Sequence, residues 1–139
     1  MLPEIELTDA PLDPEIAILN DSLVAFNAGL IGMTDKRPLA LLLRDGDGRV
    51  IGGLSAVTAR GWLIIDMIFV PEILRGNGLA TQLLGMAEDE ARNRGCHGAW
   101  LETVNPDARR LYEKHGYAPF GQLPDFPVGH SLIFMQKTL

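Results

Sequence analysis

The chain has 139 residues, enough for one domain around a single core, and its 47% hydrophobic and 22% charged residues are those of an ordinary globular protein. A formal net charge of −6 and a pI near 4.9 exclude a general nucleic-acid binder, which needs basic stripes to neutralise phosphates. The same balance mildly favours cationic small molecules or basic protein tails as partners.

In chain order, the opening MLPEIELTDAP has neither the basic start nor the apolar core of a signal peptide. Within it, IEL reads as a short first strand. Asp13 to Gly32 reads as a helix, with Asp13 as cap, Pro14 in the first turn, Gly32 at the end and a stripe of Ile16, Leu19, Leu23 and Phe26. Met33 to Pro38 is a connection. PLALLLRDGDGRVIGGLSAVTA predicts two strands joined by the turn Asp45 to Gly48. The Asp spacing there faintly resembles a calcium loop, but Arg49 and Ala56 stand where oxygen ligands are required, so the turn reading prevails. GWLIIDMIFV (Gly61 to Val70) is a strand apolar on both faces and therefore central. Broken by Asp66, it is too short to span a bilayer. A helix follows from about Gly78 to Arg94, with Leu79, Leu83, Leu84, Ala87 and Ala91 as its buried stripe. Cys96, the single cysteine, excludes an internal disulfide and fits a reducing, cytoplasmic compartment. GAWLETV is a strand, NPDARRLYEKHG a short helix capped by Asn105, and YAPFGQL and SLIFMQKTL are strands flanking the loop PDFPVGH. The expected fold is a single α/β domain over residues 1–139. It has six to seven strands in a mostly antiparallel mixed sheet with one parallel pair, and three main helices on its faces.

The stretch VPEILRGNGLATQLL carries the chemistry. The first amides of a helix lack internal partners and its dipole attracts anions there. Glycines at Gly76 and Gly78 remove the Cβ atoms that would keep a phosphate away, and Arg75 adds a cation. From this alone two readings stand, a diphosphate cradle and a plain glycine-rich corner. A nucleotide loop of the Walker type is excluded, because Leu79 and Ala80 follow where Lys and Ser or Thr are required. The dinucleotide fingerprint is excluded too, because Thr81 occupies the third glycine position.

The same stretch resembles the acetyl-CoA-binding motif of the GNAT-type N-acetyltransferases, with Arg75, Gly78 and Ala80 in register. NPDARRLYEKHGYAPFG resembles the family's second signature through Asn105, Ala108, Leu111, Tyr112, Gly116 and Tyr117. Together with FVPE the matches run from Ile64 to Gly121, and the element order fits the family's fold throughout. The resemblance implies that the amides of Arg75, Gly76, Asn77, Gly78, Leu79 and Ala80 bind the pyrophosphate of acetyl-CoA. It implies that the backbone of Ile68, Phe69 and Val70 pairs with the pantetheine arm like an added strand. It further implies that Asn105 holds the cosubstrate near its thiol end and that Tyr112 protonates the departing sulfur. Seven residues separate Asn105 from Tyr112, about two helical turns, so they project from nearly the same side. A phenol of pKa ~10 suits a thiolate of comparable basicity.

The function implied is direct transfer of acetyl from acetyl-CoA to an amine in a ternary complex, with an oxyanion donor from the central strand near Phe69 or Val70. Asp66 is the candidate that attracts or deprotonates the acceptor ammonium; strand alternation puts it on the face of Ile64 and Ile68, and a plain salt bridge is its other reading. Glu102 is a weaker candidate of the same kind. The alternative function is a non-catalytic acyl-CoA-binding or sensing module. His97, His115 and His130 lack metal spacing, and no metal is expected. Trp62 and Trp100 read as core, and Phe126 and His130 either wall the acceptor site or belong to a stiff connector. The acceptor is a small-molecule amine or a protein or peptide amine. Neither nucleic acid nor membrane is an expected partner, and the open edge of the sheet is compatible with a homodimer.

Overall fold

The structure, a computed structural model, describes residues 1–139. The chain divides into two compact units, Met1–Thr34 and Asp35–Leu139. The first consists of an extended arm and α1 (Asp13–Ile31). The IEL segment is not a strand; three residues form one only when a ladder partner fixes them. α1 starts one residue earlier than expected, with Leu12 as cap. The Glu15 carboxylate, not Asp13, makes the side-chain bond at this end, reaching back to accept from the N-cap amide of Leu12 at 3.0 Å. Gly32 ends the helix with φ of 82° as the sequence predicts.

The second unit holds β1 (Arg37–Arg44), β2 (Val50–Ala59), β3 (Trp62–Phe69), a 3₁₀ turn at Glu72–Leu74, α2 (Leu79–Asn93), β4 (Gly98–Thr103), α3 (Pro106–Lys114), β5 (Ala118–Leu123) and β6 (Leu132–Thr138). They form one six-stranded sheet in the order β1-β2-β3-β4-β6-β5, antiparallel except for the β3–β4 pair. The β1–β2 turn closes because the Asp45 carboxylate accepts from the amides of Asp47 (2.8 Å) and Arg49 (3.0 Å).

One face of the sheet carries the core. Leu39, Leu54, Ala56, Leu63, Ile65, Ala99, Leu101, Ile133 and Met135 pack with Leu83, Leu84, Ala87 and Ala91 of α2 and Tyr112 of α3. The α2 stripe is the predicted one, except that Leu79 is only half-buried and Glu88 joins it. On the other face, Trp62, Trp100 and Phe134 are half-buried and Phe120 is exposed, so the two tryptophans line a groove instead of filling the core. No helix is long and apolar enough to cross a membrane.

Glu88 explains how a carboxylate sits inside. Lys137 Nζ donates to its Oε1 at 2.7 Å and the Tyr117 hydroxyl to its Oε2 at 2.8 Å, and the ammonium lies 5.6 Å from the Tyr117 ring centre. Burial and the Glu88 charge push the Tyr117 pKa well up, which keeps the phenol a donor. Glu88→Ala strands both partners and is expected to cost about 3 kcal/mol, read as a fall in the urea midpoint at unchanged slope. Pairing it with Lys137→Met should recover part of the loss.

Candidate active site

Two departures from regular sheet structure make the site. Along β2, Ser55 pairs with Met67 but Ala56 with Ile65, so Asp66 is an extra residue in a β-bulge. Next, β3 pairs with β4 only at Trp62, Leu63 and Ile64, although both strands run on, to Phe69 and Thr103. Beyond Ile64 the two strands separate and the β4-side edge of β3 has no strand beside it. The bulge also corrects the expected orientation of Asp66. Ile68 pairs with buried Leu54 and packs against the core, so Asp66 does not share its face. Asp66 is exposed and lies outside the cleft described next.

The separation opens into a cleft of about 640 Å³. Ile68, Phe69 and Val70 form one wall, Arg75, Gly76, Gly78, Leu79 and Ala80 its end, and Asn105 and Tyr112 the opposite wall. Ten of the twelve sequence-predicted site residues therefore line one cavity, and Asn77 and Asp66 do not. Asn77 turns back, its Nδ2 donating to the Leu74 carbonyl at 3.0 Å, and so holds the loop's shape.

Gly78 is the N-cap of α2 with φ of 75°, and Gly76 has φ of 83°, a region L side chains rarely adopt. A Cβ at either would meet nothing within 4 Å; the glycines serve backbone conformation and leave the space before the helix open. α2 has no side-chain cap and no acidic residue in its first turn. α3 satisfies its own with Asn105 Oδ1, which accepts from Asp107 (2.8 Å) and Ala108 (3.4 Å); α1 also lacks a side-chain cap but carries the acids Asp13 and Glu15 in its first turn. α2 thus presents unpartnered first-turn amides and the positive end of its dipole to the cleft.

Arg75 is tethered more than expected: its Nε donates to the Val70 carbonyl at 2.9 Å and its guanidinium lies 6.0 Å from the Phe69 ring centre. It fixes the loop to the end of β3 while still lining the cleft. Asn105 likewise combines cap and wall. Tyr112 is buried, and desolvation holds its pKa above the ordinary phenol value. Its ring meets Tyr117 edge-on at 6.1 Å. The hydroxyl has no protein partner, yet no side-chain oxygen or nitrogen is both sealed and unpaired, so it opens onto the cleft. Burial raises the Cys96 thiol pKa, helped by the Asp35 charge, which leaves a protonated thiol and not a nucleophile.

Leu74, Thr81 and Asp107 also line the cleft, as do Ala108 and Leu111, which match the second signature but gain no site role from the sequence. Helical spacing marks some of them: Ala108 and Leu111 accompany Asn105 and Tyr112 on one side of α3, and Thr81 ends the first turn of α2. Thr81 also bonds His115 Nε2 at 3.0 Å, which joins α2 to the end of α3. His130 lies elsewhere, in a 200 Å³ recess with Asn105 and Arg109.

The model of the acetyltransferase (GNAT) family matches residues 7–117. The chain belongs to this family. An acetyltransferase of Agrobacterium fabrum (strain C58) is 48% identical over 119 residues, covering 86% of this chain and 87% of the relative. Blasticidin-S acetyltransferase of Streptomyces morookaense is 34% identical over 93 residues, covering 66% and 68%. A solved acetyltransferase structure from Agrobacterium tumefaciens superposes with a TM-score of 0.95 at 43% identity, covering 99% of this chain and all of the other. GNAT membership accounts for the six-stranded mixed sheet and its one parallel pair.

Proposed function

We propose that this protein is an N-acetyltransferase that moves acetyl from acetyl-CoA to the amine of a small molecule. The observation that carries the reading is the uncapped start of α2 facing the cleft opened between β3 and β4. The amides of Gly78, Leu79 and Ala80, with Arg75, receive the diphosphate. The free edge of β3 at Ile68, Phe69 and Val70 receives the amide-bearing pantetheine arm as an added strand. Acetyl-CoA supplies an activated thioester. The amine nitrogen forms a bond to the acetyl carbon, the carbon–sulfur bond breaks, and the sulfur takes the Tyr112 proton. The nitrogen gives up one proton to solvent as the amide forms, and solvent returns one to Tyr112. Asp66 and Glu102, exposed acids on the strands flanking the separation and outside the cleft, contribute only negative charge that favours a cationic acceptor. The name of the blasticidin-S relative supports a small-molecule acceptor over a protein.

The test is calorimetric titration with acetyl-CoA, followed by detection of free CoA thiol against an amine panel. Saturable binding with amine-dependent thiol release is expected. Binding without release across the panel identifies an acyl-CoA-sensing module instead, and no binding removes the cradle altogether.

A further inference from the structure

Resting on the acetyl transfer proposed above, we infer that the acceptor is a small amine that also bears a carboxylate, and that Arg109 receives this carboxylate in a second recess beside the cleft. Every residue of the recess belongs to the Asp35–Leu139 unit. It has a volume of about 200 Å³ and lies where the end of β4, the start of α3 and the loop before β6 meet. Asn105 lines both the recess and the cleft, so the two share a wall. The spacing along α3 ties them further. Arg109 stands four residues after Asn105 and three before Tyr112, so it neighbours both on the helix surface, with about 5–6 Å between Cβ atoms. That is within the span of a small amine whose nitrogen meets the thioester while a carboxylate a few bonds away enters the recess.

The chemistry of the recess selects an anion. Although the chain carries a net charge of −6, no aspartate or glutamate lines this cavity, and Arg109 does. The guanidinium is only partly engaged: its Nε donates to Glu113 Oε1 at 2.8 Å, which leaves the two Nη groups for another acceptor. That pair with Glu113 is an exposed i,i+4 bridge on one helix, which water screens. Two Nη groups side by side match the two oxygens of a carboxylate, a fork that lysine does not offer. His130 and Ser131 add an imidazole and a hydroxyl for the remaining lone pairs. Their loop is held by its own backbone, the Phe126 amide donating to the His130 carbonyl and the His130 amide to the Pro127 carbonyl, both at 2.8 Å. Val104 and Ile133 supply apolar surface for a short carbon skeleton. An acceptor with a second ammonium would meet a like charge here. A zwitterion suits both the recess and the exposed acids Asp66 and Glu102, which draw its amine end.

Two measurements on the full chain test this and keep it distinct from acetyl transfer itself. The first needs no turnover: calorimetric titration, in excess CoA, with N-acetyl-L-leucine, N-acetyl-β-alanine and 4-acetamidobutyrate, each against its carboxamide. At least one acid is expected to bind about 10²-fold more tightly than its amide, as a charge-assisted, two-pronged contact allows. Arg109→Gln should bring that ratio to about one, and Arg109→Lys should restore part of it, since it keeps the charge and loses the fork. Arg110→Gln, on the same helix but outside the recess, should leave the ratio within about twofold. Equal binding of every acid and its amide, no binding by any acid, or a preference that survives Arg109→Gln overturns the proposal. The second measurement is CoA thiol release from acetyl-CoA with L-leucine, β-alanine and 4-aminobutyrate, again each against its carboxamide. A lower KM at similar kcat for the preferred acid, lost in Arg109→Gln, supports the proposal, and faster turnover of every amide than of its acid overturns it. An Arg109-dependent preference in binding with no thiol release from any amine upholds the carboxylate recess and removes the transfer reading alone.

Discussion

Gly78→Asp is expected to lower acetyl-CoA affinity about 10³-fold while changing thermal stability little. Asp is among the few side chains that tolerate the left-handed conformation of this position, at a cost of roughly 1–2 kcal/mol. A carboxylate beside the first turn of α2 regains about 0.3–1 kcal/mol from the dipole and the free amides. The net effect is about 1 kcal/mol, a shift in Tm of about 4 °C or less for a chain of this size. For the diphosphate the same carboxylate is a like charge at contact, with a repulsion of about 4 kcal/mol at the effective dielectric of a protein surface. That corresponds to about three decades of affinity. Titration calorimetry and a melting curve on one preparation separate the two effects. Gly78→Ala separates bulk from charge, because its methyl meets only open space and carries no repulsion. Unchanged affinity in Gly78→Asp would mean that the diphosphate lies elsewhere, whatever the fold.

What the sequence revealed and what it hid divide along the range of the interactions involved. The Asp45 turn, the Asn105 cap, the α2 stripe and the glycines at Gly76 and Gly78 were legible because each is set by residues within a turn or two. The orientation of Asp66 was not, because a bulge arises from mismatch between two strands, here β2 and β3, and alternation within one strand cannot register it. The tether from Arg75 to the Val70 carbonyl was hidden for a similar reason. A guanidinium beside two glycines reads as a phosphate ligand until the chain folds back and presents an acceptor. Trp62 and Trp100 read as core because they sit in inner strands, but which face a helix covers is decided by the whole layer arrangement. The Glu88 network shows the same limit: a carboxylate on the buried side of α2 makes sense only once Lys137 and Tyr117, 49 and 29 residues away, arrive beside it.

Tyr112→Phe is expected to slow turnover by about 10²–10⁴-fold and leave both acetyl-CoA affinity and folding stability nearly unchanged. The phenol oxygen bonds no protein group, so its removal strands no partner. The ring's packing against Tyr117 is kept by phenylalanine. The loss therefore falls on kcat and not on KM, the pattern of an interaction made only as the reaction proceeds. The direction of the Tyr112 pKa fixes the pH behaviour. The acid is competent when protonated, and desolvation raises its pKa above the ordinary value of about 10. The wild-type protein therefore keeps its donor through neutral and mildly alkaline pH, and any activity lost between pH 8 and 9 belongs to another group. An acyl donor whose thiol is more acidic leaves without needing a proton. With such a donor the gap between Tyr112→Phe and wild type should narrow, since only a proton donor responds to the basicity of the departing sulfur. A gap that stays constant across donors of different thiol pKa would reduce Tyr112 to a packing residue of the cleft wall.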